Sequence, residues 1–170
     1  ALPIYAWGNK MLKKYFKSEA AKPDKKNWTT LFGEEIAKEL YYLLECANNE
    51  PEEKEHLKPD LECESCVVEV KTQTYFTDGT AGEKIPGVPY KYAAVPRLYG
   101  KPLVVLCIGN AEELARASYG IIPGRTKFAD MPASKQIHPE QAAQIELWKT
   151  QKITFIGATD IIKAILKVSN

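Results

Sequence analysis

The sequence has no apolar run that approaches the ~18–20 residues a membrane-spanning helix needs, which excludes that class. It has four cysteines in 170 residues, Cys46, Cys63, Cys66 and Cys107, too few for a disulfide framework in a chain of this size. There are two histidines, His56 and His138, and neither has a neighbour that marks a general base. Walker-type phosphate loops, dinucleotide fingerprints and serine-hydrolase elbows are all missing. So are internal repeats and low-complexity tracts. The first residues, Ala1-Leu-Pro-Ile-Tyr5, have no charged-then-apolar leader pattern and no Met. They are expected to be a trimmed or processed end of a reduced, cytoplasmic or nuclear-type protein that is not secreted.

The composition is that of an ordinary globular chain, with 45% hydrophobic and 26% charged residues, enough for a core without staples. One domain over 1–170 is expected. The net charge of +1 hides a division into blocks: residues 1–33 carry +5, residues 34–69 carry −9, and residues 70–135 carry +4. Phosphates attract cations and metal sites attract carboxylates, so a polyanion-binding surface interrupted by an acidic pocket has this profile; so does a solvated surface with clustered charge. Periodicity predicts a basic amphipathic helix over 6–17 and a helix over roughly 31–47 with Thr29 or Thr30 as cap. Ile36, Ala37, Leu40, Leu43, Leu44 and Ala47 form the apolar face of the second helix. Two short strands, Asp60–Glu62 and Cys66–Thr74, meet at a tight turn near Glu64-Ser65. Residues 77–100, rich in Gly and Pro, read as loop with a short helix near 90–95. A buried strand at Leu103–Ile108 follows, then helices over 110–118 (Asn110 as cap) and His138–Gln151, a strand at Ile153–Ile156 and a closing helix at Thr159–Val168. This order predicts an α/β domain with a central mixed sheet.

Chemistry concentrates in Lys58-Pro-Asp60-Leu-Glu-Cys-Glu-Ser-Cys-Val-Val-Glu69-Val-Lys71. Strand side chains alternate, so Glu69, Lys71 and Gln73 share one face and Val68 and Val70 the other. If the strands pair as a hairpin, Asp60 and Glu69 meet near one end. Two carboxylates and the Val70 carbonyl are hard oxygen donors suited to Mg²⁺, with Mn²⁺ as a substitute. Lys71 beside them can hold an attacking water and offset phosphate charge, as in-line phosphodiester hydrolysis requires. A surface hairpin whose Glu69 and Lys71 simply pair is the alternative.

Asp60 after Pro59, followed by Glu69-x-Lys71, resembles the PD-(D/E)xK nuclease superfamily, and most closely a small type II restriction endonuclease. Gly33-Glu34-Glu35-Ile36-Ala37 resembles the helix that precedes this hairpin in many members. The resemblance covers roughly residues 31–108. It implies a restriction-endonuclease-like α/β/α core, sequence-specific double-strand DNA cleavage, Mg²⁺ dependence and a homodimer. It also implies that Asp60, Glu69 and Val70 hold the metal, that Lys71 positions water, and that Glu34 and Gln73 support them. A structure-specific resolvase or repair nuclease, and a catalytically silent nucleic-acid-binding module, are the alternatives.

Rings and cations interleave around flexible glycines between Tyr75 and Lys101, and Lys84, Tyr90, Lys91 and Arg97 are the DNA-binding candidates there. Arg125 and Lys127 are candidates in a second irregular stretch. Cys63-x-x-Cys66 has no second pair of ligands at zinc spacing. On one extended strand the two cysteines face opposite sides; a turn between them would bring them together.

Overall fold

The computed structural model describes residues 28–73, 83–124 and 137–168. The helix expected over 6–17 and the candidates Arg125 and Lys127 lie outside them. The five strands are β1 (Asn48–Asn49), β2 (Leu61–Cys63), β3 (Val67–Gln73), β4 (Leu103–Gly109) and β5 (Ile153–Gly157), in that order across one sheet. β1, β2 and β3 pair antiparallel, whereas β3, β4 and β5 run parallel. The expected mixed sheet is present, with one strand unforeseen: β1 pairs with β2 through Asn48↔Cys63 and Asn49↔Glu62. Among the described residues no helix is long and apolar enough to cross a membrane.

Helices cover both faces, which makes three layers. On the back, α1 (Trp28–Leu43) packs with the closing helix, labelled α6 (Ala158–Val168), over Val68, Val70, Leu106 and Ile108. On the front, α2 (Lys84–Lys91) and α3 (Val95–Tyr99) cover Val67, Leu103 and Val105. They are joined there by α4 (Asn110–Glu113), which runs on as a π turn over Leu114–Ser118. Helix α5 (Pro139–Thr150) has no fully buried residue and leans Trp148 on Phe155, with ring centroids 5.7 Å apart.

Several local expectations change. α1 starts before Thr29, which is buried inside it instead of capping it. Its inward face is Ala37, Leu40 and Tyr41, while Leu43 and Ala47 are exposed. Tyr41 buries a large ring one position along, which rotates the stripe. Asn110 is the first helical residue and Gly109 the cap. The described part of the 77–100 stretch, residues 83–100, holds two helices, at Lys84–Lys91 and Val95–Tyr99, in place of the one expected near 90–95, where residues 92–94 form the turn between them. Pro86 sits in the first turn of α2, where a missing N–H costs nothing, and Pro89 is buried in the core. Close approach matters at Gly33: a Cβ there would overlap the Thr72 side chain. The first turns of α1 can therefore lie directly on the back of β3.

Candidate active site

Hairpin register brings the two acidic positions together. Leu61 pairs with Val68, and Asp60, one residue earlier, bonds to the Val68 carbonyl, which brings it beside Glu69, the next residue of β3. Asp60 is held to β3: its backbone N–H donates to the Val68 carbonyl at 2.9 Å, and its Oδ2 accepts from the Val70 N–H at 2.6 Å. The carboxylate is thus fixed to the strand that carries its partner.

Glu69 faces the front layer and is 4% exposed. Its Oε1 accepts from Lys71 Nζ at 2.5 Å, and the same ammonium reaches the Val70 carbonyl at 3.3 Å. Its Oε2 takes no hydrogen bond from the described residues. Burial pushes the Glu69 carboxyl above the usual carboxylate range; the Lys71 charge pulls it back and the Asp60 charge adds to the rise. An unpaired buried carboxylate oxygen is costly and calls for an explanation.

Tyr92, which sequence reasoning grouped with the loop aromatics and did not assign to the site, supplies the wall. It is buried just beyond α2. Its hydroxyl oxygen accepts from Lys91 Nζ at 3.0 Å and lies within interaction range of Glu69. Burial and the negative charges of Glu69 and Asp60 hold the phenol protonated well past its ordinary range. No signal in the local pattern marks Tyr92, because its partner is 23 positions away in the chain (Glu69 to Tyr92).

A cleft of about 260 Å³ opens here, with Lys71, Lys84, Gly87, Val88, Lys91 and Tyr92 in its lining. Two of the DNA-binding candidates, Lys84 and Lys91, therefore face the same space as Lys71. Tyr90 is 93% exposed on the same helix. Arg97 is on α3 and pairs with Glu55 at 3.4 Å, next to the acidic loop. Gln73 is buried at the end of β3, on the Glu69–Lys71 side by alternation. Glu34 is half-buried on α1, one residue after the Gly33 contact with Thr72. The back layer therefore places it beside the C-terminal half of β3.

Among the described residues no group of three or more His, Cys, Asp or Glu side chains is placed to hold a metal ion. The oxygen donors that do converge are Asp60, Glu69 and the Val70 carbonyl, and Lys71 Nζ bridges the last two. The Lys71 ammonium stands between Glu69 Oε1 and the Val70 carbonyl, and Glu69 Oε2 remains open beside it. Carboxylate and carbonyl oxygens are the donor type a small hard divalent ion takes.

Comparison of the chain with family models, with curated proteins and with solved structures gives no match.

Proposed function

We propose that the protein is a divalent-metal-dependent DNA endonuclease with a restriction-endonuclease-like core, cleaving double-stranded DNA at specific sequences as a homodimer. The observation that carries this reading is the convergence of Asp60, Glu69 and Lys71 on one end of the β2–β3 hairpin, under a cleft lined by two further lysines.

Asp60, Glu69 and the Val70 carbonyl would hold Mg²⁺ or Mn²⁺. The ion, when bound, would lower the pKa of water and offset charge on the phosphate. Lys71 donates hydrogen bonds from a position beside both carboxylates, so it orients the attacking water and meets the charge that grows on phosphorus oxygens. Tyr92 closes the site on the α2 side and is held as a neutral phenol. Lys84 and Lys91 attract the phosphate backbone into the cleft. Gln73 and Glu34 support the site from the end of β3 and from α1.

Supercoiled plasmid incubated with the full chain and Mg²⁺ tests the reading, with EDTA and Lys71→Ala as controls. Discrete fragments lost in both controls support it. Cutting confined to branched or flapped DNA replaces it with a structure-specific nuclease. Binding without divalent-dependent turnover on either substrate overturns it in favour of a silent binding module.

A further inference from the structure

Cys63 and Cys66 end β2 and precede β3, with Glu64 and Ser65 exposed at the turn between them. The Cys63 N–H donates to the Cys66 carbonyl at 2.8 Å. The two residues stand directly opposite each other across the hairpin. Such pairs have Cα atoms about 4.5–5.5 Å apart, within the roughly 4.4–6.8 Å a disulfide spans. Both side chains enter the same back-layer cluster, Cys63 at 3% and Cys66 at 8% exposure. The opposite-face geometry of a single strand does not apply, because the turn puts each on its own strand.

The surroundings differentiate the two thiols. Cys66 interacts with the Cys63 thiol, with Ser65 and with the Tyr41 hydroxyl, and these contacts bring its thiol down to about 7. Lys101 Nζ is anchored on the hairpin by the Cys63 carbonyl at 2.8 Å and Glu62 at 2.7 Å, and adds positive charge. Cys63, buried and hydrogen-bonded to Cys66, is held well above the usual thiol range. Electropositive surroundings and hydrogen-bond donors are what make a cysteine a nucleophile. Cys107, by contrast, is sealed in the front core and pushed up to about 12 by burial.

We propose that Cys63 and Cys66 are a reversible dithiol–disulfide site, with Cys66 as the attacking sulfur and a small-molecule disulfide of the glutathione type as oxidant. The Cys66 thiolate attacks one sulfur of the oxidant, breaking its S–S bond and releasing one half as thiolate. The Cys63 thiol then gives up its proton and attacks Cys66 Sγ, expelling the second half. Two protein thiols lose two electrons, the oxidant gains them, and two protons pass to the released thiols. The site stands whether or not the chain cuts DNA.

The full chain treated with oxidised glutathione, acid-quenched, alkylated and analysed by mass spectrometry tests this. Expected is the loss of two hydrogens within residues 63–66, reversed by dithiothreitol. Cys63→Ser should stop at a glutathione adduct on Cys66. Cys66→Ser should form an adduct on Cys63 about tenfold more slowly or less. The proposal is overturned if both thiols stay fully alkylatable in the native chain, if Cys46 forms the bridge, if Cys63 reacts as fast as Cys66, or if reaction occurs only in urea.

Discussion

Two buried glutamates, Glu69 and Glu112, lie on the front side of this sheet and are treated in opposite ways. Glu112 is 2% exposed and accepts four hydrogen bonds. Arg116 donates to it from Nε at 3.0 Å and from Nη2 at 2.8 Å, and Thr159 donates from its backbone N–H at 3.1 Å and from its hydroxyl. Arg116 goes on to Asp160 at 2.6 Å and to the Pro123 carbonyl. Gly157 leaves room for this network, since a Cβ there would collide with Glu112. Glu69, equally buried, accepts from Lys71, and its second oxygen takes no hydrogen bond among the described residues. A charge buried for stability has its valences filled from several elements; the one left open on Glu69 is what the proposed chemistry would use.

The widest separation between the two sites should come in activity. Lys71→Ala is expected to lower divalent-dependent cleavage about 10²–10⁴-fold, the range for losing a group that positions or moves a proton, as read from single-turnover plasmid cleavage. Glu112→Ala should leave Lys71 and the cleft in place but cost about 1–3 kcal/mol of stability in chemical denaturation, because buried Arg116 loses two hydrogen bonds and keeps Asp160 as its carboxylate partner. If Glu112→Ala costs less than Glu69→Ala in the same assay, the contrast is wrong.

A smaller effect concerns pH. Burial raises the folded-state pKa of Glu69. Between the ordinary glutamate range and that raised value the folded chain keeps a proton that the unfolded chain has lost. Stability of the metal-free protein should therefore fall as pH rises through this window, and the loss is complete above the folded value. Glu69→Gln should flatten that slope and add about 1 kcal/mol at neutral pH, a gain typical of relieving a functional site. Denaturation midpoints measured across the window in EDTA decide this, and an unchanged slope would remove Glu69 from its role as the open valence. The smallest effect lies at the cleft rim. Lys84→Ala and Lys91→Ala should each reduce the slope of log affinity against log salt by about 1, uniformly across DNA sequences. Arg97→Ala, paired with Glu55, should leave the slope unchanged.

The acidic hairpin was legible because strand alternation admits one answer: with a turn at Glu64-Ser65, Glu69 and Lys71 must share a face and Asp60 must come near Glu69. The parallel strands were legible as apolar runs, Leu103–Gly109 above all. The helix α2 was not, because Pro86, Gly87 and Pro89 carry loop signals even though Pro86 lies in the first turn, where a helix tolerates it. Strand β1 was not, since two asparagines have no strand propensity and pair only because β2 offers an edge. The Glu112–Arg116 pair was visible in principle as an i,i+4 match on an expected helix, but Asp160 and Thr159 join it from a distant helix that no local pattern connects. Tyr92 belongs to the same class: only the packing of α2 over β3 brings it to Glu69.

The contact between Gly33 and Thr72 gives β3 two faces with different jobs at one point along the strand. Thr72 points backward onto the bare backbone of α1, while Lys71 and Gln73, on either side of it, point forward. The front of the strand can therefore be displaced from behind. Any side chain at position 33 acts as a wedge between helix and sheet, and the displacement it produces arrives at the face that carries Glu69 and Lys71 without a single atom of that face having been changed.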